Sequence, residues 1–360
     1  MPSRRKVISG ALAAATLSGP LWADVGNPTH LSAARTPEGA YILCGLRADG
    51  SLAFSVPLPD RGHAAAAHPS LSQAVAFARR PGVFAVVLDC ATGISQHRIQ
   101  APAGRHFYGH GAFSRDGKTL FTTENDIDTG AGRIGVWDAA DGYRRIADLS
   151  SNGIGPHEII RLPNSDILAI ANGGIRTHPA SGRDKLNVDT MQPNLTLMDA
   201  EGRVRDTAVL PAELHQNSLR HIAAFPDGRV ACAFQWQGDP FAAPSIAGVY
   251  APEDGLQLAP MSDQTLRGLD GYAGSVAVLG TEHMAVTFPR GGLMQRINVK
   301  TDETLDLWRG DVCGVAPARW GGLATDGLGG VQRVEAHGFT KVAQYNLAFD
   351  NHLVAVGASS

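Results

Sequence analysis

The sequence predicts an all-β protein, a seven-bladed β-propeller made of four-stranded antiparallel blades. Three stretches begin with a histidine that opens a short apolar run and ends in a polar turn. They start at His63, His110 and His157, 47 residues apart in each case. A fourth starts at His221, 64 residues after the third, and a polar insertion near 174–190 accounts for the excess. A fixed period in the forties is typical of propeller blades.

Within each period, four short β-prone runs are separated by Asp-Gly or other glycine turns, the pattern of an antiparallel meander. The period opened by His110 predicts strands at 110–114, 119–123, 133–138 and 143–149. The next two predict strands at 158–162, 167–171, 195–199 and 204–210, then at 222–225, 229–234, 248–251 and 256–258. His63 opens an earlier blade with its third strand at 83–88, and two later blades begin near 274 and 313.

The ends of the chain supply material for the seventh blade. Residues 40–58 provide two further strands, and residues 346–356 provide one or two. Pairing these strands with one another avoids open sheet edges. The prediction is therefore one propeller over 24–360, with ordered blades at about 30–356, an insertion at about 172–194, and closure by strands from both termini.

Residues 1–23 are predicted to be a leader peptide outside the fold. Arg4, Arg5 and Lys6 precede a mildly apolar, alanine-rich stretch that is too short to span a bilayer permanently. Adjacent arginines in this position resemble a twin-arginine export signal, with a Sec signal as the alternative. Cleavage after Ala23 removes these three positive charges and takes the formal net charge from −3 to −6. We expect a periplasmic monomer without a membrane span, and no nucleic-acid binding because no basic cluster stands out.

The cysteines are expected to be buried free thiols. Cys44, Cys90, Cys232 and Cys313 lie in or beside apolar runs, and none forms a C-x-x-C pair. A twin-arginine substrate folds in the reducing cytoplasm before export, which disfavours a structural disulfide.

The two faces of the predicted propeller differ in their connections. One face, here called the short-turn face, carries brief hairpin turns: Asp116-Gly117, Asp141-Gly142, Asn164-Ser165, Glu201-Gly202, Asp227-Gly228 and Asp254-Gly255. The other, the loop face, carries longer polar loops at 104–109, 124–130, 152–156, 172–194, 213–217 and 235–240. The repeated histidines stand where these loops enter the innermost strands, so they are expected to ring the mouth of the central channel. Long polar loops on a rigid frame are where function concentrates.

The histidines suggest a metal site. Imidazoles from consecutive blades that point at one axis can hold a transition metal, iron or copper in preference to zinc. The predicted ligands are His63, His110, His157 and His221, with support from Glu124, Asp126 and Glu158. A separate ligand or partner loop is predicted at Arg176, His178, Arg183 and Lys185.

A structural role for the histidines is the alternative. Gly109-His110 followed by Trp137-Asp138 resembles the residue pairs of WD40 repeats, in which the histidine hydrogen-bonds inside its own blade. Under this hypothesis the channel mouth stays free of metal, and the protein is purely a scaffold for protein interactions.

Six longer segments carry a more specific resemblance. They are Tyr-Gly-His-Gly-Ala-Phe-Ser (108–114), Thr-Thr-Glu-Asn-Asp-Ile-Asp-Thr-Gly (122–130), Gly-Ile-Gly-Pro-His-Glu (153–158), Ala-Asn-Gly-Gly-Ile-Arg-Thr-His-Pro (171–179), Leu-Asn-Val-Asp-Thr-Met-Gln-Pro-Asn (186–194) and Leu-His-Gln-Asn-Ser-Leu-Arg-His (214–221). The chain resembles a family of exported bacterial propellers of unknown function, often encoded beside imelysin-type periplasmic proteins of iron uptake. This resemblance implies a periplasmic accessory role in metal acquisition, with an imelysin-type or other iron-uptake protein as partner.

A looser resemblance connects the chain to propeller lactonases. The pattern Arg-His-x-x-x-x-Pro-Asp-Gly is present at 220–228. The hydrolase that it implies would use His157, Glu158, Arg220 and His221. No Gly-x-Ser-x-Gly elbow accompanies them, and the pattern also describes propeller blades in general.

Overall fold

The computed structural model describes residues 19–79, 84–182 and 184–357 of the protein. Most of the predicted leader, residues 1–18, and the predicted loop residue Arg183 lie outside this range. The described strands form seven four-stranded antiparallel sheets, so the predicted seven-bladed propeller is confirmed. In chain order the strands are β1 His30–Arg35, β2 Tyr41–Leu46, β3 Leu52–Leu58, β4 Gly62–Ala67, β5 Gln73–Ala78, β6 Phe84–Asp89, β7 Ile94–Gln100, β8 Arg105–Phe113, β9 Thr119–Asp126, β10 Ala131–Asp138, β11 Arg144–Ile154, β12 Pro156–Arg161, β13 Leu168–Asn172, β14 Asn194–Met198, β15 Val204–Ala208, β16 Asn217–Ala224, β17 Val230–Trp236, β18 Ala247–Ala251, β19 Gly255–Leu258, β20 Ser275–Leu279, β21 His283–Phe288, β22 Leu293–Asn298, β23 Thr304–Trp308, β24 Val312–Ala318, β25 Gly321–Asp326, β26 Gly330–Val334, β27 Phe339–Gln344 and β28 Ala348–Ala355.

Blade 1 is the closing blade, and both ends of the chain contribute to it. Its strand order is β28-β1-β2-β3, so three strands come from the N-terminal part and one from the C-terminal part. The sequence predicted closure but missed β1, since residues 40–58 were expected to supply only two strands. Strand β28 pairs with β1 and lies innermost, between β24 of blade 7 and β4 of blade 2. Blades 2 to 7 take successive sets of four strands from β4 to β27.

The strands near the channel are buried and those at the rim are exposed, and their sequences differ accordingly. The second strands are apolar at consecutive positions: β13 is entirely buried, and β17 is buried over its first five residues. These strands are covered on both faces by neighbouring blades, which removes the alternation expected of a half-exposed strand. On the rim, β15 exposes four of its five residues. The core therefore lies between blades, as in the cluster of Ala112, Phe121, Ile159 and Leu168 from blades 3 and 4.

The segment just before β1 packs on the propeller. Trp22 lies in a short 3₁₀ helix, Trp22–Val25, and is buried. Its indole N–H donates to the His68 carbonyl at 2.9 Å, and the Ser72 amide donates to the Pro20 carbonyl at 2.8 Å. The predicted leader extends to residue 23, so cleavage after Ala23 would remove these contacts with blade 2.

The remaining sequence expectations about the frame concern thiols and helices. All four cysteines are unpaired and buried, as predicted. Between the described strands lie several 3₁₀ turns and one short α-helix, α1 (Asp263–Gly268), capped by the Ser262 hydroxyl. None of the described helices has the length and apolar character needed to cross a membrane.

Candidate metal centre

The innermost strands of five consecutive blades each place a histidine in the central channel. They are β28, β4, β8, β12 and β16. Each of these strands is irregular beside its histidine, because its pairing with the second strand of the blade shifts register there. The shifts lie between Gly62 and Ala65, Phe107 and Gly111, Pro156 and Glu158, and Leu219 and His221, and opposite residues 350–352 of β28. Extra residues in one strand of a pair rotate the local side chains out of the regular alternation. The irregularities therefore turn the five imidazoles toward the axis.

Four of the five histidines were predicted, and His352 was not. Like the others, it opens an apolar run, His352-Leu-Val-Ala-Val, so the signal was present in the sequence. It was missed because β28 closes blade 1 from the far end of the chain and falls outside the 47-residue period. The imidazole centroids lie 4.6 to 6.0 Å apart in the eight closest pairs.

The histidines stand at two heights along the channel. In each of these five blades, the innermost strand ends near the short-turn face with an equivalent backbone hydrogen bond to the second strand. The donors are the amides of His68, Ser114, Leu162, Phe225 and Val356. Counting back from these residues, His110, His221 and His352 are four positions away, whereas His63 and His157 are five positions away. The level nearer the short-turn face thus comes from blades 1, 3 and 5, and the other level from blades 2 and 4.

Two sets of three imidazoles are close enough to hold a metal ion. Candidate ligand atoms lie within 4.8 Å of one another in His63, His110 and His157, and also in His110, His221 and His352. We call these the outer set and the inner set. His110 belongs to both, whereas the four predicted histidines do not form one set.

Several imidazole nitrogens have no hydrogen-bond partner in the described structure. They are His63 Nδ1, His110 Nε2, His157 Nδ1 and His352 Nε2. A buried nitrogen without a partner is costly, and such nitrogens are the atoms with which imidazole binds metal. Burial, followed by the charges of nearby imidazoles and arginines, holds the pKa of His63, His157 and His352 well below the ordinary value. These rings are neutral at pH 7, the form that coordinates metal.

Glu158 links two of the rings. One carboxylate oxygen lies 3.5 Å from His110 Nδ1, and the other lies 3.2 Å from His221 Nδ1 and accepts the Ile222 amide at 3.0 Å. Burial acts to raise the Glu158 pKa, but the charges of His110 and His221 and their hydrogen bonds outweigh it and hold the pKa well below its usual range. A carboxylate that accepts from Nδ1–H leaves Nε2 as the lone-pair nitrogen. Glu158 therefore orients both imidazoles, and its link to His110 crosses from blade 4 to blade 3.

The other predicted carboxylates lie elsewhere in blade 3. Glu124 is fully buried on β9 and accepts both guanidinium branches of Arg145, at 2.7 and 3.0 Å. Asp126, at the end of β9, accepts the Thr129 amide and hydroxyl. Strand β9 extends through Asp126, so the predicted loop 124–130 is shorter than expected. Neither carboxylate belongs to the outer or inner set.

The insertion is tied to the loop face. The Arg176 guanidinium donates to the Asp128 carbonyl at 2.8 Å, and His178 Nδ1 accepts the Ala180 amide at 3.1 Å. The Lys185 side chain is largely exposed. Its pKa is lowered first by desolvation of the part that is covered and then by the charges of Arg220 and Arg290. The predicted partner loop thus places Lys185 in positively charged surroundings.

The four residues of the lactonase hypothesis are neighbours. The rings of His157 and His221 are 4.8 Å apart, and Glu158 contacts His221. The charge of Arg220 is among the causes that lower the pKa of His157. These residues therefore belong to the histidine cluster itself.

A cavity of about 440 Å³ runs from the cluster toward the short-turn face. His110, Glu158 and His352 line its inner end, and Pro69, Pro163, Pro226 and Pro317 line it near the hairpin turns. The sequence placed the functional opening on the loop face. The cavity lies toward the opposite face, as the prolines near the hairpin turns show.

Gly109 makes room for His63. Its φ is +103°, and a Cβ added there would lie 2.5 Å from Cδ2 of the His63 ring. We predict that Gly109→Ala lowers the free energy of unfolding by about 1–3 kcal/mol through backbone strain and the displaced ring. It should also reduce metal content, measured by elemental analysis.

Gly104→Ala is the matched control. Gly104 also has a positive φ, +76°, but an added Cβ meets no atom within 4 Å. This variant should show backbone strain alone and keep its metal. Equal metal loss in both variants would contradict the steric argument.

These observations define the protein as a β-propeller with a histidine-lined channel. The model of the family described as "Protein of unknown function (DUF1513)" matches residues 56–356. The chain belongs to this family.

Solved structures show the same fold. The chain is similar to a structure titled Kuenenia stuttgartiensis Hydrazine Synthase, with a TM-score of 0.56 and 16% identity over 80% of each chain. It is also similar to a structure titled Structure of U3-55K, with a TM-score of 0.62 and 12% identity over 84% of this chain and 87% of the other. At these identities the similarity concerns the fold alone. The comparison with curated proteins gives no significant match.

Proposed function

We propose that this protein binds a transition metal ion in its central channel. The observation that carries the proposal is the convergence of five imidazoles on the axis, with partnerless ring nitrogens at His63, His110, His157 and His352. A purely structural histidine satisfies both nitrogens inside its blade. Here four buried ring nitrogens remain without a hydrogen-bond partner in the described structure.

The ligand chemistry favours a transition metal such as iron or copper over calcium. Neutral imidazole suits both ions, as well as zinc. The carboxylate of Glu158 supports the proposal in a second way, because histidine ligands commonly donate their other N–H to a carboxylate. Each set offers three protein nitrogens, which leaves coordination positions free for exchange.

We further propose that the protein is exported and serves metal acquisition outside the cytoplasm. The adjacent Arg4 and Arg5 ahead of a weak apolar stretch support twin-arginine export. That route suits a protein that must fold, or take up its ion, before crossing. The resemblance to propellers encoded beside imelysin-type proteins supports an accessory role with an iron-uptake protein as partner, and we propose that the protein acts as a monomer.

Elemental analysis of the exported protein tests the proposal. The full chain is expressed with its own leader, recovered from the periplasm without added metal, and assayed for iron, copper and zinc. We expect about one ion or more per chain, removable by a chelator. Returning the ion at about 100 times its Kd should stabilise the stripped protein by about 2.7 kcal/mol. Absence of metal, with no stabilisation by any of the three ions, would leave the interaction scaffold as the surviving hypothesis.

A further inference from the structure

We infer that the metal centre takes a small uncharged molecule as ligand, delivered through the cavity from the short-turn face. This inference rests on the proposed metal binding and adds the class of exogenous ligand. It starts from the cavity of about 440 Å³, a volume within the range of small-molecule sites.

Small apolar side chains make up most of the cavity wall. Alanine, valine, isoleucine and proline from all seven inner strands or their turns form most of the lining: Ala64, Ala65, Ala66, Ala67, Pro69, Ala112, Ile159, Ile160, Pro163, Ile222, Ala223, Ala224, Pro226, Val276, Ala277, Val278, Val315, Ala316, Pro317, Val354 and Ala355. A charged molecule entering such a passage would lose its hydration without replacement, at a cost of several kcal/mol or more. An uncharged molecule avoids this cost.

The charged side chains of the wall are already engaged. Arg161 donates to the carbonyls of Leu162 and Ser165, at 3.2 and 2.9 Å. Glu158 accepts from His110, His221 and the Ile222 amide. Glu158 at the inner end therefore offers no unpaired charge to a ligand, and the charge of Arg161 lies nearer the hairpin turn that carries Ser165.

The inner set of histidines faces this passage. His110 and His352 line the inner end of the cavity, where blade 6 contributes the small side chain of Ser275 instead of an imidazole. An ion held by His110, His221 and His352 has three protein ligands, and a site with three protein ligands keeps a position open to an incoming molecule. Blades 6 and 7 carry no histidine in the described clusters, so the open side lies toward them.

The loop face offers the contrasting environment. Arg220 adds its charge beside His157 and His221, whereas the charge of Arg79 beside His63 and His352 is partly offset by Asp350, whose carboxylate lies 3.5 Å from the guanidinium. An anion would be drawn to that side. Comparison of a neutral with an anionic probe therefore distinguishes the two routes.

Nitric oxide and azide are suitable probes. The stripped full-length protein is loaded anaerobically with Fe(II), and its metal content is confirmed. Nitric oxide is then added, and the iron–nitrosyl complex is followed by stopped-flow absorbance and electron paramagnetic resonance. We expect rapid formation of a nitrosyl complex, and the rate of azide binding is recorded in parallel as the anionic reference.

Variants that narrow the passage test the route. Ala67→Phe and Ala223→Phe enlarge lining residues on β4 and β16 that are only partly buried. Each should slow nitrosyl formation by about tenfold, corresponding to about 1.4 kcal/mol of added barrier, without loss of iron. Ala140→Phe is the matched control, because Ala140 is exposed in a turn of the same face away from the cavity. It should leave the rate unchanged.

The outcomes separate the two proposals. Iron-loaded protein that forms no nitrosyl, or in which both cavity variants leave the rate of nitrosyl formation unchanged or slow azide binding equally, overturns the inference and leaves metal binding intact. If one variant fails to fold, the other variant and the comparison of probes still decide. A protein that takes up no metal overturns both proposals.

Discussion

Replacing His110 with alanine is expected to remove more bound metal than replacing any other histidine of the chain. His110 is the residue common to the outer and inner sets, so its loss leaves each set with two imidazoles. Loss of groups that merely orient a metal ligand costs about 10–100-fold in affinity, and loss of a ligand should cost at least as much. Metal per chain after dialysis, measured by elemental analysis, should fall to about a tenth of the wild-type value or less.

Two comparisons make this result specific. His63→Ala and His352→Ala each disrupt one set only, and they should retain more metal than His110→Ala. His337→Ala is the control, because His337 is exposed and remote from the channel. Full metal content in His110→Ala, with a native unfolding curve, would show that His110 is not shared.

Acid is expected to destabilise the metal-free protein steeply between about pH 6.5 and pH 5. The pKa of His63, His157 and His352 is held well below its ordinary value by burial first, and then by neighbouring charges. In the unfolded chain these residues protonate near pH 6.5. Below that pH the unfolded state binds protons that the folded state excludes, so stability is present above pH 6.5 and lost as the pH falls.

The free energy of unfolding is expected to depend steeply on pH. Each of the three histidines contributes about 1.4 kcal/mol per pH unit, or about 4 kcal/mol per unit together. Outside the cluster, burial lowers the pKa of His68 to about 4, which adds to the loss. Glu158 is ionised in both the folded and the unfolded state over most of this range, so it contributes little to the slope.

Urea unfolding with a chelator present, at about pH 7, 6 and 5, measures this effect. His157→Gln removes one of the buried titrating groups and should reduce the slope by about 1.4 kcal/mol per pH unit. A flat profile, or an unchanged slope in this variant, would mean that the histidines are accessible to protons in the folded state.

The blade repeat could be predicted because every blade satisfies the same local constraints. The 47-residue spacing, the Asp-Gly turns and the apolar second strands all follow from one repeated meander, so seven blades and their closure could be inferred. The split of the closing blade could not. Whether blade 1 takes two or three strands from the N-terminal part depends on which partner β28 meets across the ring, and the local sequence does not record that pairing.

The candidate site was predicted less completely, for related reasons. His63, His110, His157 and His221 come together as expected because they occupy equivalent positions in consecutive blades. The bulges that set their two heights depend on pairing with the second strands, and so the division into two sets was not visible in the sequence. Glu124 was proposed as support because it is close in sequence, but its partner is Arg145 on the rim side of the same blade. Glu158 lies beside the histidines because it directly follows one of them.

The position of β28 has a consequence for the order in which the site is assembled during protein synthesis. The ribosome makes His63, His110 and His157 well before residue 352, so a nascent chain can bring together the outer set while β28 has not yet been translated. The inner set needs His352 and can form only after the other twenty-seven described strands have been made. An ion bound before β28 is translated would therefore have only the histidines of the outer set available.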